Sequence, residues 1–276
     1  MKFSVVFLSP VLCILLTLLS GCGGQKGGGA ESITLTGSST VAPLVADAAK
    51  RYEADHPGVR IDVQTGGSSR GISDVRSGLA DLGMASRVLK PEESDLTAHR
   101  IAMDGVGVIV HKDNPVSNLQ KEQLIDIYTG KIKNWNVLGG LNAEIVVANK
   151  AEGRATLEVF LAYTGLDSAD IKADVVVGEN QQAIKTVAGN PAAIGYVSIG
   201  AAASEAAAGA LIQLVSCDGI PASTDSVSSG EFPITRPLQI ITKGTPSSAA
   251  QEFLEYLKSP RINDLIESHL YVPLEH

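Results

Sequence analysis

The sequence predicts an α/β protein with two lobes, each a mostly parallel sheet flanked by helices, and two hinge crossovers of the chain between them. Short apolar runs rich in β-branched residues recur along the chain, and segments with helical periodicity separate them. Strands separated by helices of this length pair in parallel, because the helix returns the chain to the same end of the sheet. Such sheets bind ligands in the crevice beyond the carboxyl ends of their strands.

The individual elements follow from these runs. The first helix is predicted from Pro43 to His56, because its apolar residues fall on one face and Pro57-Gly58 ends it. The predicted strands are, in order, 33–36, 59–63, 101–110, 145–147, 175–177, 194–199 and 238–242.

Two proline-containing segments predict where the chain passes from one lobe to the other. The strand that ends at Val110 leaves through His111–Pro115, and the Pro-flanked segment Phe232–Pro237 leads into the strand from Leu238. We therefore expect residues 31–110 with 236–276 to form lobe I and residues 111–235 to form lobe II.

The N-terminus predicts export. Lys2 precedes an apolar run from Val5 to Leu19, which is shorter than the span of about 20 residues that crosses a bilayer. Residues 1–21 are therefore interpreted as a signal peptide.

Leu19-Ser20-Gly21-Cys22 resembles the lipobox of bacterial lipoproteins, so Cys22 is the predicted lipidation site. The glycine-rich segment 22–30 has little to bury and is expected to be a flexible tether. The protein would then be anchored outside the cytoplasm, in the periplasm or at the cell surface.

Composition excludes several classes of function. The formal net charge is −8, and it becomes −9 once Lys2 leaves with the signal peptide, which argues against nucleic acid as a partner. Cys217 would be the one cysteine left without a lipid, so no intrachain disulfide is expected. We expect it to be a small packed residue. The histidines stand singly, no metal-ligand cluster appears, and no cofactor is expected.

Two predicted strand-to-helix turns carry glycine followed by hydroxyls. The first is Thr36–Thr40, with Ser39 and Thr40 before a helix, and the second is Thr65–Ile72, with Ser68 and Ser69. Glycine lets the backbone approach a ligand, and a helix N-terminus favours negative charge. A serine or threonine at such a position also caps a helix in the absence of any ligand.

Two further loops add basic side chains. The short strand 81–85 ends in Ser86 and Arg87, and the guanidinium fork of arginine matches the oxygens of a tetrahedral oxyanion. In the other lobe, Asn149–Thr156 opens a helix with Arg154, Ala155 and Thr156. If this loop faces the other three, closure of the lobes would surround an anion. Each loop, taken alone, is also compatible with helix capping or a solvated surface.

As an ordered set, these motifs resemble the substrate-binding proteins of phosphate ABC transporters, a family of periplasmic binding proteins with the type II fold. The resemblance covers nearly the whole chain after the tether. The matching segments are Gly37–Pro43, Gly67–Ile72, Asp81–Arg87, Asp104–Val110, Leu124–Lys131 with Trp135, Asn149–Thr156 and Arg236–Leu238.

The resemblance implies that inorganic phosphate is clamped between two lobes and delivered to the permease subunits of an ABC importer. Carried over, the ligand-binding residues are Ser39, Thr40, Ser68, Ser69, Ser86, Arg87, Asp104, Arg154, Ala155 and Thr156. The protein is expected to be a monomer that meets the membrane through its lipid anchor.

Two departures from the family pattern bear on ligand choice. In the best-known branch an aspartate stands where this chain has Arg87, and it accepts a proton from the bound phosphate. Asp104 is the candidate for that role here. A buried acceptor of that kind rejects sulfate, which has no proton to offer, so an arginine-rich pocket without such an aspartate should bind sulfate measurably. Relatives often have serine or glycine where this chain has Ala155.

Other functions remain open at this point. Sulfate or molybdate are alternative ligands, and the same fold could sense phosphate at the cell surface without transporting it. A secreted phosphatase using Ser39 or Ser69 would need a base and an oxyanion site, and no Gly-x-Ser-x-Gly elbow is present. We therefore expect no catalytic residues.

Overall fold

The computed structural model describes residues 31 to 275. The predicted signal peptide 1–21, Cys22 and the tether 22–30 lie outside the described residues. Among the residues that are described, no helix is both long and apolar enough to cross a membrane.

Strands and helices alternate along most of the chain. The strands are β1 (Glu31–Gly37), β2 (Val59–Thr65), β3 (Leu82–Ala85), β4 (Thr97–His111), β5 (Asn118–Leu119), β6 (Val146–Lys150), β7 (Val175–Val177), β8 (Ala193–Ser198), β9 (Ile212–Cys217) and β10 (Thr235–Thr242). The helices are α1 (Ala42–Asp55), α2 (Ser68–Ser77), α3 (Lys121–Tyr128), α4 (Ala155–Thr164), α5 (Asn180–Ala188), α6 (Ile199–Ala207), α7 (Thr224–Ser228), α8 (Ser248–Lys258) and α9 (Asn263–Ser268).

Strand pairing divides the sheet into two parts. In the first, β1 pairs in parallel with β2 and β3, and β10 pairs antiparallel with β3 and β4. In the second, β8 pairs antiparallel with β4 and in parallel with β6, which pairs in parallel with β7. The strand β9 pairs antiparallel with β4 and in parallel with β5. The pairs that the helices connect are parallel, as the alternation predicts.

Each part of the sheet has its own apolar core. The first core joins β1, β3 and β10 to α1 and α8, and Leu44 and Phe253 are among its fully buried side chains. The second surrounds the buried rings of Trp135, Phe160 and Tyr196, the last two of which stack with centroids 4.1 Å apart. Cys217 is buried in this second core, as expected for a packed residue. Smaller apolar clusters lie around Val187 in the second part and around Ile72 in the first. Separate cores are what a two-lobed molecule requires, because each lobe must bury its own helices.

The strand β4 runs through both parts of the sheet. Its residues 97–105 pair with β10, whereas Val106 to Val110 pair with β8. The N–H of Val106 donates to the carbonyl of Ile234, just before β10 begins. The lobe bounds of 31–110 with 236–276 and 111–235 stay predictions, and this change of partner favours a boundary inside β4. The two strands at which the chain passes between the lobes, β4 and β10, therefore lie side by side.

Candidate anion-binding site

The first predicted turn lies between β1 and α1 and is held by its own serine. Gly37 has a φ of +134°, and a Cβ there would come within 2.2 Å of the carbonyl oxygen of Met84, so only glycine fits. Ser38 Oγ accepts the N–H of Thr40 at 3.2 Å and donates to Ser86 Oγ at 3.0 Å. Because the Ser38 side chain accepts the backbone N–H of Thr40, the Thr40 hydroxyl is available for other contacts. Ser39 lies half-buried between them.

The second turn packs against the first at the start of α2. The carbonyl of Gly37 accepts the N–H groups of Gly66 and Gly67 at 3.0 and 2.9 Å. Ser68 is buried, and its Oγ accepts the N–H of Ser86 at 3.1 Å. The loops after β1, β2 and β3 are therefore joined into one polar surface, as the shared carboxyl edge of parallel strands predicts.

Arg236 from β10 lies at the centre of this surface. Its side chain is 1% exposed, and Nε and Nη2 donate to Oδ2 of Asp104 at 3.0 and 2.8 Å. Asp104 is the partner of Arg236 across the antiparallel pair of β4 and β10. The crossover strands thus place a guanidinium and a carboxylate together where the lobes meet.

The same guanidinium contacts hydroxyls from both predicted lobes. Nη2 donates to Thr40 Oγ1 at 3.1 Å, and Nη1 donates to Thr156 Oγ1 at 2.9 Å. Ser86 Oγ is 3.4 Å from Nη1. Because Arg236 uses these hydroxyls as acceptors, their own protons stay free to be donated, each hydroxyl having both roles.

Lobe II adds a lysine and an amide. Asn180, at the start of α5, donates from Nδ2 to Thr40 Oγ1 at 3.1 Å. Lys150 Nζ donates to the Glu179 carbonyl at 2.9 Å and to Asn180 Oδ1 at 3.3 Å. Burial, together with the nearby charge of Arg236, lowers the pKa of Lys150 to about 7. The ammonium is thus short of negative partners, since the nearest groups it contacts are neutral oxygens.

Among the described residues, one oxygen of Asp104 has no hydrogen-bond partner. Oδ1 is buried without a hydrogen bond, whereas Oδ2 receives both bonds from Arg236. Buried polar atoms in native proteins are almost always hydrogen-bonded, so an orphaned carboxylate oxygen calls for an explanation. A ligand that brings its own proton would satisfy it. Hydroxyl donors, a guanidinium, an ammonium and one free acceptor together suit a partly protonated oxyanion.

The structure does not bring Arg87 into this cluster. Its Nη1 and Nη2 donate to the two carboxylate oxygens of Glu93 at 2.7 and 2.8 Å, and its Nε lies 3.0 Å from Oε2 of Glu158. The fork that was expected to hold the anion is already filled by carboxylates. Arg236 occupies the central position instead.

The remaining predicted residues surround the cluster. Arg154 Nη1 forms an ion pair with Glu179 at 2.6 Å, and Ser69 is half-buried with its N–H 3.3 Å from the carbonyl oxygen of Gly153. Ala155 is buried at the first position of α4 and supplies no side-chain donor. Thr40, Ser86, Asp104 and Thr156 are the predicted residues that Arg236 brings together.

The roles of Arg236, Lys150 and Asn180 are not evident from the sequence. Arg236 is within a segment that carries the family resemblance, but it lies inside a strand rather than in a turn, so no local signal marks it. Lys150 is in the fourth predicted loop, where Arg154 was the preferred cation. The burial of Lys150 depends on α5, which its local sequence does not reveal.

Comparison with known proteins agrees with the fold and with the expected family. Residues 24–261 match a family model described as a PBP superfamily domain. The Phosphate-binding protein PstS of Bacillus subtilis is 32% identical over 260 residues, covering 92% of this chain and 84% of that protein. The homologue of Staphylococcus saprophyticus, also named Phosphate-binding protein PstS, is 30% identical over 260 residues, covering 87% of this chain and 80% of that protein.

Solved structures give the same result. A putative phosphate ABC transporter substrate-binding protein with bound phosphate from Clostridium perfringens has a TM-score of 0.84 and 30% identity, covering 89% of this chain and all (100%) of that one. An ABC-type phosphate transport receptor from Vibrio cholerae has a TM-score of 0.73 and 30% identity, covering 88% of this chain and 100% of that one. The predicted two-lobed α/β fold is confirmed by these matches. The chain belongs to the family of phosphate ABC transporter substrate-binding proteins, which bind solutes and are not enzymes.

Proposed function

We propose that this protein captures inorganic phosphate between its two lobes, outside the cytoplasm, and delivers it to an ABC importer. The observation that carries the proposal is the buried pair of Arg236 and Asp104, whose guanidinium contacts hydroxyls of Thr40 and Thr156 from the two sides of the cleft. The proposed ligand-binding groups are therefore Thr40, Ser86, Asp104, Thr156 and Arg236, with Lys150 adding positive charge.

The free oxygen of Asp104 supports phosphate over sulfate. At neutral pH phosphate carries at least one proton, which Asp104 Oδ1 can accept, whereas sulfate carries none. A sulfate oxygen facing that carboxylate would be an unpaired like charge, and sites with a buried unpaired polar group reject such analogues by about 10⁴-fold. Measurable sulfate binding is expected of a pocket without an acceptor, and the unpartnered oxygen of Asp104 supports a low affinity for sulfate instead.

Isothermal titration of the purified protein with phosphate, sulfate and molybdate tests the proposal. We expect tight, saturable binding of phosphate and an affinity for sulfate lower by at least about 10³-fold. Equal affinity for phosphate and sulfate would contradict the assignment. Tighter binding of molybdate would show that the protein serves an importer of molybdate instead.

The membrane anchor and the oligomeric state complete the proposal. Cys22 is the proposed lipidation site, and the protein is proposed to act as a monomer. Membrane fractionation of the full chain and of Cys22→Ser tests the anchor, with the variant expected in the soluble fraction. Light scattering of the purified protein tests the monomer.

A further inference from the structure

Glu158 lies in the first turn of α4 and faces groups of the other predicted lobe. Its Oε2 is 3.0 Å from Arg87 Nε and 2.8 Å from Lys90 Nζ. Its Oε1 accepts a longer hydrogen bond, 3.4 Å, from Ser69 Oγ. All three partners precede β4 in the chain, so a single carboxylate of lobe II reaches three side chains of lobe I.

The lobe I side of this contact is assembled without Glu158. Arg87 is bound to both oxygens of Glu93, and Glu93 also accepts the N–H of Lys90 at 2.8 Å. Gln239 holds the backbone by donating to the Arg87 carbonyl at 2.5 Å. The guanidinium is thus fixed in position, and its Nε, which lies 3.0 Å from Glu158 Oε2, makes no hydrogen bond of aligned geometry with any described residue.

The contact between the lobes pairs opposite charges. Within lobe I, Arg87 is balanced by Glu93, and the half-exposed Lys90 leaves one positive charge over. Glu158 supplies the one negative charge that compensates it. With Glu158 apart, both the cation and the carboxylate would have to be solvated separately, so the pairing favours the closed arrangement.

Glu158 is not placed to touch the anion. Thr156, which contacts Arg236, precedes it by two residues in α4, and side chains two apart on a helix point in widely different directions. The Glu158 side chain instead lines an open groove of about 420 Å³ together with Arg87 and Lys90, and Arg236 lines the same groove. Glu158 and Lys90 are more exposed than Arg236 and Asp104, so the contact lies on the solvent side of the polar cluster.

We propose that Glu158 is an affinity-determining residue that latches the two lobes through Arg87 and Lys90 and so slows release of the bound anion. This inference rests on the proposed function. It gives Arg87 a role in closure rather than in contact with phosphate. Because the latch touches no ligand, it affects every anion that the closed site accepts by the same factor.

The dissociation rate of phosphate from Glu158→Gln tests the latch. The variant keeps the shape of the side chain and removes its charge. We expect release roughly 5- to 20-fold faster than from the wild type, because removing one partner of a desolvated charge pair acts mainly on the dissociation rate. Arsenate, a second protonated tetrahedral oxyanion, should be released faster by the same factor. The effect should shrink as salt rises, since the Lys90 contact is partly exposed.

Glu122→Gln is the matched control, because Glu122 is an exposed glutamate in the first turn of another lobe II helix, α3. It changes the net charge equally and should release phosphate at the wild-type rate. Lys90→Gln provides a second variant, and its effect should not add to that of Glu158→Gln. The proposed latch is contradicted if Glu158→Gln releases phosphate at the same rate as Glu122→Gln. It is also contradicted if the dissociation rates of phosphate and arsenate change by different factors. If the wild type binds no phosphate at all, the proposed function itself fails.

Discussion

The two buried arginines of this protein lie in similar surroundings and have different partners. Arg87 is bound to both oxygens of Glu93 and also contacts Glu158, so two carboxylates face one guanidinium. Arg236 faces the single carboxylate of Asp104, and the ammonium of Lys150 is close enough to feel its charge. Arg87 is therefore fully compensated, whereas the surroundings of Arg236 keep an excess of positive charge. A buried arginine whose charge is already balanced by carboxylates has less positive charge left to attract an anion.

The largest expected difference between the two regions comes from matched lysine substitutions. Arg236→Lys keeps the charge but loses the fork that reaches Asp104, Thr40 and Thr156 together, so we expect phosphate affinity to fall by about 100-fold or more. Arg87→Lys should lower affinity by less than about 20-fold while it lowers the melting temperature, because the bidentate pair with Glu93 is lost. Calorimetric titration and thermal melts of both variants measure this. Equal losses of affinity would show that both arginines bind the anion.

A smaller effect is expected from the hydroxyl that α4 contributes. Thr156 is 6% exposed, and Thr156→Val keeps the shape of its side chain while it removes the hydroxyl that lies 2.9 Å from Arg236 Nη1. Loss of one charge-assisted hydrogen bond should weaken phosphate binding roughly 10- to 30-fold. Thr186→Val, at a more accessible threonine in α5, is the control and should bind like the wild type. An unchanged affinity for Thr156→Val would place the anion away from α4.

The smallest effect concerns the pH dependence that Lys150 introduces. Burial lowers its pKa to about 7 from an ordinary value of 10.5, with the charges of Arg236 and Arg154 acting in the same direction and Glu179 opposing them. Between those two values the unfolded chain binds the proton and the folded chain does not, so the stability of the unliganded protein should rise with pH there. Phosphate affinity should fall several-fold over the same rise, because the ammonium loses its charge.

Lys150→Gln should remove that part of the pH dependence, and Lys185→Gln, at an exposed lysine of α5, should leave it in place. Titrations from pH 6 to 9 in buffers of matched ionic strength measure both. A slope that is the same in all three proteins would show that Lys150 does not cause the pH dependence.

The comparison of the two arginines also shows what the sequence could predict. The alternation of strands and helices was sufficient for the fold, and the rule that parallel strands share a carboxyl edge pointed to Thr40, Ser86 and Thr156. The pairing of Asp104 with Arg236 joins residues far apart in the chain through two antiparallel crossover strands. Nothing local to Arg236 indicates that partner.

The position of Arg87 could not be inferred from its loop for the same physical reason. A hydroxyl followed by a guanidinium after a short strand is the pattern expected of an anion site. The carboxylates that bind this guanidinium come from the 3₁₀ turn Pro91–Glu93 and from α4 in the other predicted lobe. Only the assembled structure shows that both of them reach it.

The titration of Asp104→Asn with phosphate and sulfate tests the central claim most directly, with Asp62→Asn on the exposed edge strand β2 as its control. The account predicts that the wild type and the control prefer phosphate by at least about 10³-fold, and that Asp104→Asn reduces the preference to about 10-fold or less by losing phosphate affinity and gaining sulfate affinity. A variant that discriminates as well as the wild type would show that the free oxygen of Asp104 does not select the ligand.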